Sequence, residues 1–228
     1  MPAVRSLEVS GRVVALALRA QHAPAPTPVD SAQAIAGHGL LGDRHADPRS
    51  PRQLLLAGTP AYEGLGLAPQ LLRENLLLDF DTATLASGML LRVGEETVLR
   101  LSFQCEACAC LAARLGGPTR KLGQQRGMLA RVESGGVIRV GDPVTILEER
   151  RQALPEDWRE RIALVLGAVP PGSVIAYADL ARVAGIQSSY CRAFPRVLAR
   201  LGPALAARAV PGRSLDARPR WIGAGFFG

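Results

Sequence analysis

Residues 89–101 read Met-Leu-Leu-Arg-Val-Gly-Glu-Glu-Thr-Val-Leu-Arg-Leu. Two short apolar runs lie on either side of the polar segment Gly94-Glu95-Glu96-Thr97. A segment of this length and composition is typical of the turn between two antiparallel strands. The stretch therefore predicts a β-hairpin.

Apolar runs of the same kind recur on both sides of this hairpin, between Gly11 and Glu149, and are bounded by Gly, Pro or Asp. Such spacing is typical of the strands in a β-sandwich or barrel. The runs are Val13–Leu18, Gln53–Leu56, Asn75–Leu78, Met89–Val93, Val98–Leu101 and Val137–Val140. Ser134-Gly135-Gly136 predicts a second hairpin. Short helices are expected at Pro60–Leu65, Pro69–Glu74 and Cys110–Leu115.

The composition indicates a soluble globular protein. The chain has 228 residues, of which 48% are hydrophobic, 21% charged and 4% aromatic, and this excludes a disordered or collagen-like chain. We expect one large domain or two smaller ones. No apolar window is long enough to span a membrane, and the first residues lack the pattern of a secretory signal. Because four cysteines do not form a disulfide framework in a chain of this length, we expect a cytoplasmic protein with free thiols.

The apolar pattern changes from strands to helices near residue 155. Leu147–Pro155 is charged and without strand periodicity, so we interpret it as a linker. Three helices are predicted after it: one with the apolar stripe Trp158, Ile162, Val165, Leu166 and Val169, one at Tyr177–Ala184, and one that begins near Ser188 or Ser189. The last two form a helix-turn-helix pattern, and the final 25 residues are expected to form a wing or a loop. The sequence therefore predicts the α+β class, with a strand-rich sandwich or barrel domain at residues 1–149 and a small helical domain at residues 150–228, which is winged-helix-like if its last residues form a wing.

The positive charge is concentrated in the second predicted domain. The chain carries a formal net charge of +7, and residues 151–228 supply +6 of it, from eleven arginines and five acidic residues. A compact basic module is the electrostatic pattern of a phosphate-binding surface.

Three of the four cysteines lie close together, at Cys105, Cys108 and Cys110. This spacing supplies part of a structural zinc site, which requires four ligands. The other simple interpretation is that these thiols are buried as small apolar side chains, and for Cys110 we favour it. Cys108 has a third interpretation, which depends on the segments around it.

In their order along the chain, these segments resemble the MOSC family, the type of domain found at the C terminus of molybdenum cofactor sulfurases. The resemblance covers roughly residues 11–147. It rests on Gly39-Leu40-Leu41-Gly42-Asp43-Arg44-His45-Ala46, Arg52-Gln53-Leu54-Leu55-Leu56, Leu72-Arg73-Glu74-Asn75-Leu76, Gly88–Gly94, Ala107-Cys108-Ala109-Cys110-Leu111, Arg126-Gly127 and Gly135–Asp142. Ala107 stands where the family has a proline, and the two neighbouring cysteines are additional to the pattern.

The resemblance implies a barrel-like fold, a reactive thiol at Cys108, and sulfur-transfer or molybdenum-cofactor chemistry. We therefore favour an enzymatic activity of the sulfurtransferase type. A sulfur carrier needs a thiolate, which neighbouring cations favour by lowering the thiol pKa. The candidate cations Arg44, Arg73 and Arg126 also match the phosphate of a pterin cofactor. His45 belongs to the same candidate cofactor set. Asp43 and Asn75 are expected either to orient these groups or to act only as a turn residue and a cap.

The mechanism that we expect begins with a partner, a cysteine desulfurase that depends on pyridoxal phosphate and loads a persulfide onto Cys108. Cys108 would then pass the sulfur to an acceptor, such as a molybdoenzyme, or coordinate molybdenum through its sulfur. Cys105 or Cys110 would resolve the persulfide as a disulfide. The chain has a single lysine, Lys121, and it is not placed convincingly for an internal Schiff base, so we expect pyridoxal phosphate only on the partner.

Residues 156–215 resemble the DNA-binding domain of the O6-alkylguanine-DNA alkyltransferases and alkyltransferase-like proteins. The resemblance rests on Val169-Pro170-Pro171-Gly172-Ser173-Val174-Ile175-Ala176-Tyr177-Ala178-Asp179-Leu180-Ala181 and on Cys191-Arg192-Ala193-Phe194-Pro195-Arg196-Val197-Leu198. It implies that Tyr177 rotates a phosphate of double-stranded DNA and that Arg192 fills the gap left by a flipped base. Phosphate contacts are expected from Arg182, Arg196 and Arg200.

Two departures from the alkyltransferase pattern change the expected activity. Residues 205–210 read Leu-Ala-Ala-Arg-Ala-Val where the family carries its acceptor cysteine, so no alkyl transfer is expected. Pro195 replaces a glycine inside the recognition helix and is expected to kink it. The sequence thus favours a MOSC-type sulfur carrier or cofactor-binding protein with a DNA-binding module, in the handling of modified bases. The alternatives are a non-enzymatic lesion sensor, and a helical appendage that stabilises or dimerises the first domain.

Overall fold

The computed structural model describes residues 6–23, 25–68, 70–106, 111–113, 123 and 125–228. The chain divides into two compact units. The first comprises Met1–Pro48 and Arg52–Leu154, and the second comprises Arg49–Pro51 and Pro155–Gly228. None of the helices in these described stretches is both long and apolar enough to cross a bilayer.

In the described residues the first unit is built mainly from eleven strands. They are β1 Ser6–Leu18, β2 Thr27–Pro28, β3 Ser31–Ile35, β4 Gly39–Leu40, β5 Leu54–Gly58, β6 Leu76–Leu78, β7 Met89–Val93, β8 Thr97–Gln104, β9 Met128–Ser134, β10 Gly136–Arg139 and β11 Pro143–Arg150. Helix α1 spans Thr59–Leu65, and a short 3-10 helix spans Thr82–Thr84. All six predicted apolar runs lie wholly or largely within strands.

Seven of these strands form a closed barrel in the order β11-β7-β8-β9-β5-β6-β1, with β11 paired back to β1. The β5–β6 pair is parallel and the other six pairs are antiparallel. Interior side chains such as Leu54, Leu76, Leu91 and Leu99 are fully buried, and burial of this apolar surface drives the closure. The prediction of the α+β class with a barrel is confirmed.

The predicted hairpin at residues 94–97 is confirmed, because β7 and β8 are antiparallel with Val93 opposite Thr97. The hairpin predicted at Ser134–Gly136 is wrong. Strand β9 pairs with β5 and β8, whereas β10 pairs with β3 in a separate three-stranded sheet. At Gly136, where φ is 157°, an added Cβ would lie 2.7 Å from Oγ1 of Thr97. Glycine therefore lets the chain pass close to β8 as it leaves the barrel for the second sheet.

Two further predictions for the first unit are wrong. The described part of Pro69–Glu74 is a turn and not a helix, and both Gln70 and Arg73 have a left-handed φ of 59°. The segment interpreted as a linker is still β-structure in its first half, since β11 extends to Arg150. Its pairing with β7, in which Arg150 lies opposite Met89, outweighs the charged composition.

The second unit has four helices and two short strands. They are α2 Trp158–Ala168, β12 Ile175–Ala176, α3 Tyr177–Val183, α4 Phe194–Leu201, α5 Pro203–Ala206 and β13 Ala209–Val210, with a 3-10 helix at Ser188–Ala193. Asp157 caps α2 by accepting a hydrogen bond from the backbone N–H of Arg159 at 2.8 Å. Gly185 follows α3 with a left-handed φ of 66°, as its position at the helix end predicts. The helices pack around a core that includes Ile162, Leu166, Leu180 and Phe194.

The third predicted helix is divided into two parts, which corrects the expectation of a kink. The 3-10 helix ends at Ala193 and α4 begins at Phe194, so Pro195 lies in the first turn of α4. A proline at that position loses no helical hydrogen bond, because the first N–H groups of a helix have no intrahelical acceptor.

The predicted wing is not confirmed. Strand β13 pairs in parallel with β12, with Ile175 opposite Ala209, and a single parallel bridge joins Val174 to Arg220. Residues 211–228, all of which are described, contain no hairpin.

Candidate functional site

Asp43 lies in the loop after β4, and both oxygens of its buried carboxylate accept hydrogen bonds. Oδ2 accepts from the backbone N–H of Arg19 at 2.9 Å and from Nδ2 of Asn75 at 2.7 Å, while Oδ1 accepts from the backbone N–H of His45 at 2.8 Å. Nε of Arg19 lies 3.6 Å from Oδ2. Asp43 therefore positions three neighbouring groups at once.

Asn75 precedes β6 and is 0% exposed. Its Nδ2 donates to Asp43 and to the carbonyl oxygen of Ala17, the latter at 3.0 Å. Its Oδ1 accepts from Nη2 of Arg19 at 2.6 Å and from the backbone N–H of Leu55 at 3.1 Å. Since a side-chain amide has two donors and two acceptor sites, the amide of Asn75 is fully used within the protein. Asn75 holds the end of β1 against β5 and β6 and orients Arg19.

Arg126 enters the same region from the segment before β9. Its side chain is buried, and Nη1 donates to the carbonyl oxygen of Leu72. The next residue, Gly127, has a φ of 107°, and an added Cβ there would lie 2.3 Å from the carbonyl oxygen of Leu56. Only glycine fits this approach to β5, so the Arg-Gly pair is a local requirement for placing the guanidinium.

Three arginines, Arg19, Arg73 and Arg126, form what we call the guanidinium cluster. Burial lowers the pKa of Arg19, and the charges of Arg73 and Arg126 lower it further, against the opposing effect of Asp43. Within the part of the chain that the structure describes, Nε of Arg19 and Nε of Arg126 are buried without a hydrogen-bond acceptor. Buried guanidinium donors without acceptors are costly, so the cluster has the donors and the charge to bind an anion.

A carboxyl group and a phenol lie beside this cluster. The hydroxyl of Tyr62, on α1, donates to Oε2 of Glu74 at 2.6 Å and accepts from the backbone N–H of Leu72 at 3.3 Å. Burial raises the pKa of Glu74, while the hydrogen bond from Tyr62 and the charges of Arg126 and Arg19 oppose the rise. Burial and the charge of Glu74 also raise the pKa of Tyr62.

The remaining two predicted cofactor residues lie at the edge of the site. Arg44 is exposed and His45 is partly buried. Burial lowers the pKa of His45 to about 4, and the positive charges of Arg19, Arg44 and Arg52 add to this effect. His45 is therefore neutral at pH 7 and adds no charge to the site.

The structure thus brings Asp43, Arg73, Asn75 and Arg126 together, with His45 attached through its backbone. Sequence reasoning missed Arg19, Glu74 and Tyr62. The signal for Arg19 was a charged residue directly after the apolar run Val13–Leu18, at the end of a strand.

Cys108, Cys110 and Lys121 lie outside the described residues, so their predicted roles stay predictions. The nearest described residues on either side of Cys108 are Glu106 and Leu111. Leu111 is buried in a small apolar cluster with Ala61 and Leu72. Cys105 is a free, buried thiol, and no group of three or more His, Cys, Asp or Glu side chains that could hold a metal is found among the described residues.

In the second unit the predicted DNA-contacting arginines, Arg182, Arg192, Arg196 and Arg200, are all exposed. Arg196 and Arg200 are one turn apart on α4, and Arg192 precedes them by the same spacing. Tyr177 differs from them because it is partly buried, with its ring edge-on to Phe194 at a centroid distance of 5.5 Å.

Comparison with solved structures finds similar folds at low sequence identity. The YuaD protein from Bacillus subtilis is 16% identical, with 62% of this chain and 97% of that chain covered and a TM-score of 0.53. A protein described only as hypothetical is 20% identical, with 86% and 94% covered and a TM-score of 0.51. YiiM from Escherichia coli is 17% identical, with 83% and 94% covered and a TM-score of 0.49. At these identities the likeness concerns the fold alone.

A search of curated protein sequences finds no match. Among models of protein families, that of the MOSC domain matches residues 53–145, which lie within the first unit. The matched range contains β5 to β10, Arg73, Asn75, Arg126 and the three clustered cysteines. The chain therefore contains a MOSC domain at residues 53–145.

Proposed function

We propose that the first unit binds the molybdenum cofactor, or carries sulfur for it, through an anion site formed by the guanidinium cluster. Among the described residues, the observation that carries this proposal is the buried Nε of Arg126, which has no acceptor, next to the buried Nε of Arg19, which lies 3.6 Å from Oδ2 of Asp43 and has no acceptor within hydrogen-bond distance. Guanidinium groups match phosphate with paired donors and retain their charge. The residues present fit a phosphate-bearing pterin, and when bound the cofactor would supply the redox-active molybdenum.

The roles within this site follow from which hydrogen bonds are already used. Asp43 and Asn75 have protein partners on all their principal donors and acceptors, so they act as positioning residues. Arg19, Arg73 and Arg126 would contact the anion, and exposed Arg44 would attract it at the entrance. Prearranged donors lower the cost of binding because little reorganisation remains to be made.

We propose Cys108 as the sulfur carrier, and its place in the chain supports this role. It lies three residues from Cys105, whose backbone N–H donates to the carbonyl oxygen of Gly127 at 2.8 Å. It is also three residues from Leu111, which packs with Leu72, and three residues of chain reach at most about 11 Å. Gly127 adjoins Arg126, and the carbonyl oxygen of Leu72 accepts a hydrogen bond from Arg126. The described residues on both sides of Cys108 therefore have partners next to a guanidinium, the kind of group that lowers a thiol pKa.

Sulfur loading tests this proposal. The Cys108 thiolate attacks the outer sulfur of the persulfide on a cysteine desulfurase, the sulfur–sulfur bond of the donor breaks, and the desulfurase leaves as a thiolate. Incubation with a desulfurase, pyridoxal phosphate and cysteine should add the mass of one sulfur atom, measured on the intact, unreduced protein. We expect Cys108→Ser to abolish the addition and Cys110→Ser to retain it. Equal loss in both variants would contradict the assignment.

A second function is favoured by the surface of the second unit. Arg196 and Arg200 are exposed one turn apart on α4, and Arg192 is exposed four residues earlier, in the 3-10 helix of the same basic module. Such a row suits a phosphate backbone. We propose that this unit binds double-stranded DNA, either to bring the MOSC domain to modified bases or as a lesion sensor that recruits repair. The resemblance to alkyltransferases supports this proposal, whereas the MOSC family model does not extend to these residues.

Salt titration of DNA binding tests this second proposal. Replacing Arg196 and Arg200 together by alanine should lower the slope of log affinity against log salt by about 2, since each lost phosphate contact removes about 0.9. The matched control is the double variant Arg159→Ala/Arg218→Ala, which removes the same charge from arginines paired with Asp157 and Asp216. If both double variants lowered the slope equally, Arg196 and Arg200 would contribute no more than any other surface charge, which would contradict the proposed DNA-binding row. A lesion sensor should also bind a duplex with O6-alkylguanine more tightly than an undamaged one.

A further inference from the structure

The buried carboxyl of Glu74 is the feature of the first unit that the proposed site does not use. Its side chain is 3% exposed, and Tyr62 donates to Oε2 at 2.6 Å. Tyr62 itself is held by the backbone N–H of Leu72, and the carbonyl oxygen of Leu72 accepts from Arg126. A short hydrogen-bonded chain therefore joins Glu74 to a guanidinium of the cluster.

The polar groups that face Glu74 come from three parts of the fold. Two of them are arginines, Arg19 after β1 and Arg126 before β9, and both act on Glu74 electrostatically. The third group is the neutral phenol of Tyr62 on α1, which donates a hydrogen bond to Glu74. The other carboxylate of the site, Asp43, is occupied by two backbone N–H groups and the amide of Asn75. Glu74 is thus the carboxyl whose ionisation changes the charge that the cluster presents.

We propose that anion binding in the guanidinium cluster is coupled to the uptake of one proton by Glu74. When Glu74 is ionised, it offsets one guanidinium charge and repels an incoming anion. When it is protonated, the full positive charge of the cluster is available. The reaction takes up one anion and one solvent proton, without any other reactant. This inference rests on the proposed anion site and names the group that regulates it.

The electrostatics of the site support this coupling. Burial already raises the pKa of Glu74 above its ordinary value in the free protein. A doubly charged anion beside it adds a like charge and raises that pKa further. By linkage, the same interaction makes the anion bind more weakly as the pH rises through the pKa of the free protein. His45, with a pKa of about 4, remains neutral near pH 7 and does not contribute to this dependence.

Sulfate is the probe that isolates this effect, because its charge stays at −2 from weakly acidic to alkaline pH. Calorimetric titration of the full chain between about pH 5 and pH 9 should give an affinity that falls by up to tenfold per pH unit above the Glu74 pKa. Titrations in two buffers of different ionisation enthalpy should show the uptake of up to one proton per sulfate bound. Glu74→Gln should retain the low-pH affinity across the whole range and take up no proton. Tyr62→Phe, which removes a donor to the carboxylate, should shift the fall in affinity to higher pH.

The possible outcomes distinguish a failure of this inference from a failure of the proposed function. The matched control is Glu63→Gln, an exposed glutamate next to Tyr62 on α1, which should leave the pH dependence unchanged. If Glu74 were only structural, Glu74→Gln would weaken sulfate binding by one factor at every pH and keep the slope, which would overturn the inference. Sulfate binding without pH dependence in the wild type would also overturn it and leave the anion site intact. Absence of sulfate binding at any pH would overturn the anion site itself, whereas failed sulfur loading of Cys108 would affect only the carrier role.

Discussion

Replacing Asp43 by asparagine should lower the free energy of unfolding of the first unit by about 3–5 kcal/mol, because it breaks a buried ion pair from one side. The amide keeps one acceptor oxygen, but its NH2 group must face either the backbone N–H of His45 or the donors of Arg19 and Asn75 that now bind Oδ2. It also leaves the buried guanidinium of Arg19 without its counter-charge.

The measurement must report on the first unit alone. Both tryptophans, Trp158 and Trp221, lie in the second unit, so their fluorescence is unsuitable. Hydrogen exchange of peptides from β5 and β6 measures the opening of the barrel next to the substitution. The control is Asp30→Asn at an exposed aspartate, which should change the stability by no more than about 0.5 kcal/mol. If β5 and β6 were equally protected from hydrogen exchange in Asp43→Asn and in the control, the hydrogen bonds of Asp43 would not hold the site together.

Replacing Arg161 by methionine should destabilise the second unit by about 2–4 kcal/mol, because it removes the donor to one buried carbonyl and to two partly buried ones, and a buried carbonyl left without a donor costs about 1–3 kcal/mol. Arg161 is 2% exposed. Its Nε donates to the carbonyl oxygen of Ala184 at 2.9 Å, and its Nη1 donates to those of Pro155 and Glu156 at 2.9 and 2.7 Å. Methionine fills most of the volume but supplies none of these donors, so it isolates the polar contribution.

The neighbouring arginine on the same helix provides the control. Arg159 is exposed, and its guanidinium lies 4.6 Å from the centroid of the Trp158 ring. Arg159→Met should cost at most about 1 kcal/mol, the range of an exposed cation–π contact. Urea unfolding followed by tryptophan fluorescence reports on the second unit, where both tryptophans lie. Equal midpoints for the two variants would contradict the role assigned to Arg161.

The barrel strands were predictable where one apolar run formed one strand. The hairpin at residues 94–97 is local, so the sequence around it was sufficient. Ser134–Gly136 has the composition of a turn, but β10 pairs with β3, which is about a hundred residues away. Such pairings depend on tertiary contacts that local composition does not encode. For the same reason, the charged end of β11 was mistaken for a linker.

The sequence predicted the site residues that belong to recognisable motifs, but it did not predict the residues that contact them. Arg73, Asn75 and Arg126 stand in recognisable segments, whereas Arg19 carries only the weak signal of a charge after a strand. The pairing of Glu74 with Tyr62 joins a turn to a helix through side chains alone. No periodicity reports such a contact, because it depends on how α1 packs against the residues before β6.

In the second unit the helices were predictable from their apolar stripes, since local contacts dominate in small helical units. The break before Phe194 was missed because the stripe continues through both segments. Pro195 indicated where the second of these helices begins, because a proline is more favourable in the first turn of a helix than in its interior.

The pairing of β1 with β11 has a consequence for synthesis on the ribosome. In this seam Arg12 lies opposite Pro143, so β1 pairs with β11, which is made more than a hundred residues later. The nascent chain must carry an open edge on β1 until β11 has emerged, and contacts between such distant segments form slowly. Unpaired edges invite association with other chains. A chain that is stalled or cut before residue 143 should therefore be a preferred substrate for chaperones and proteases.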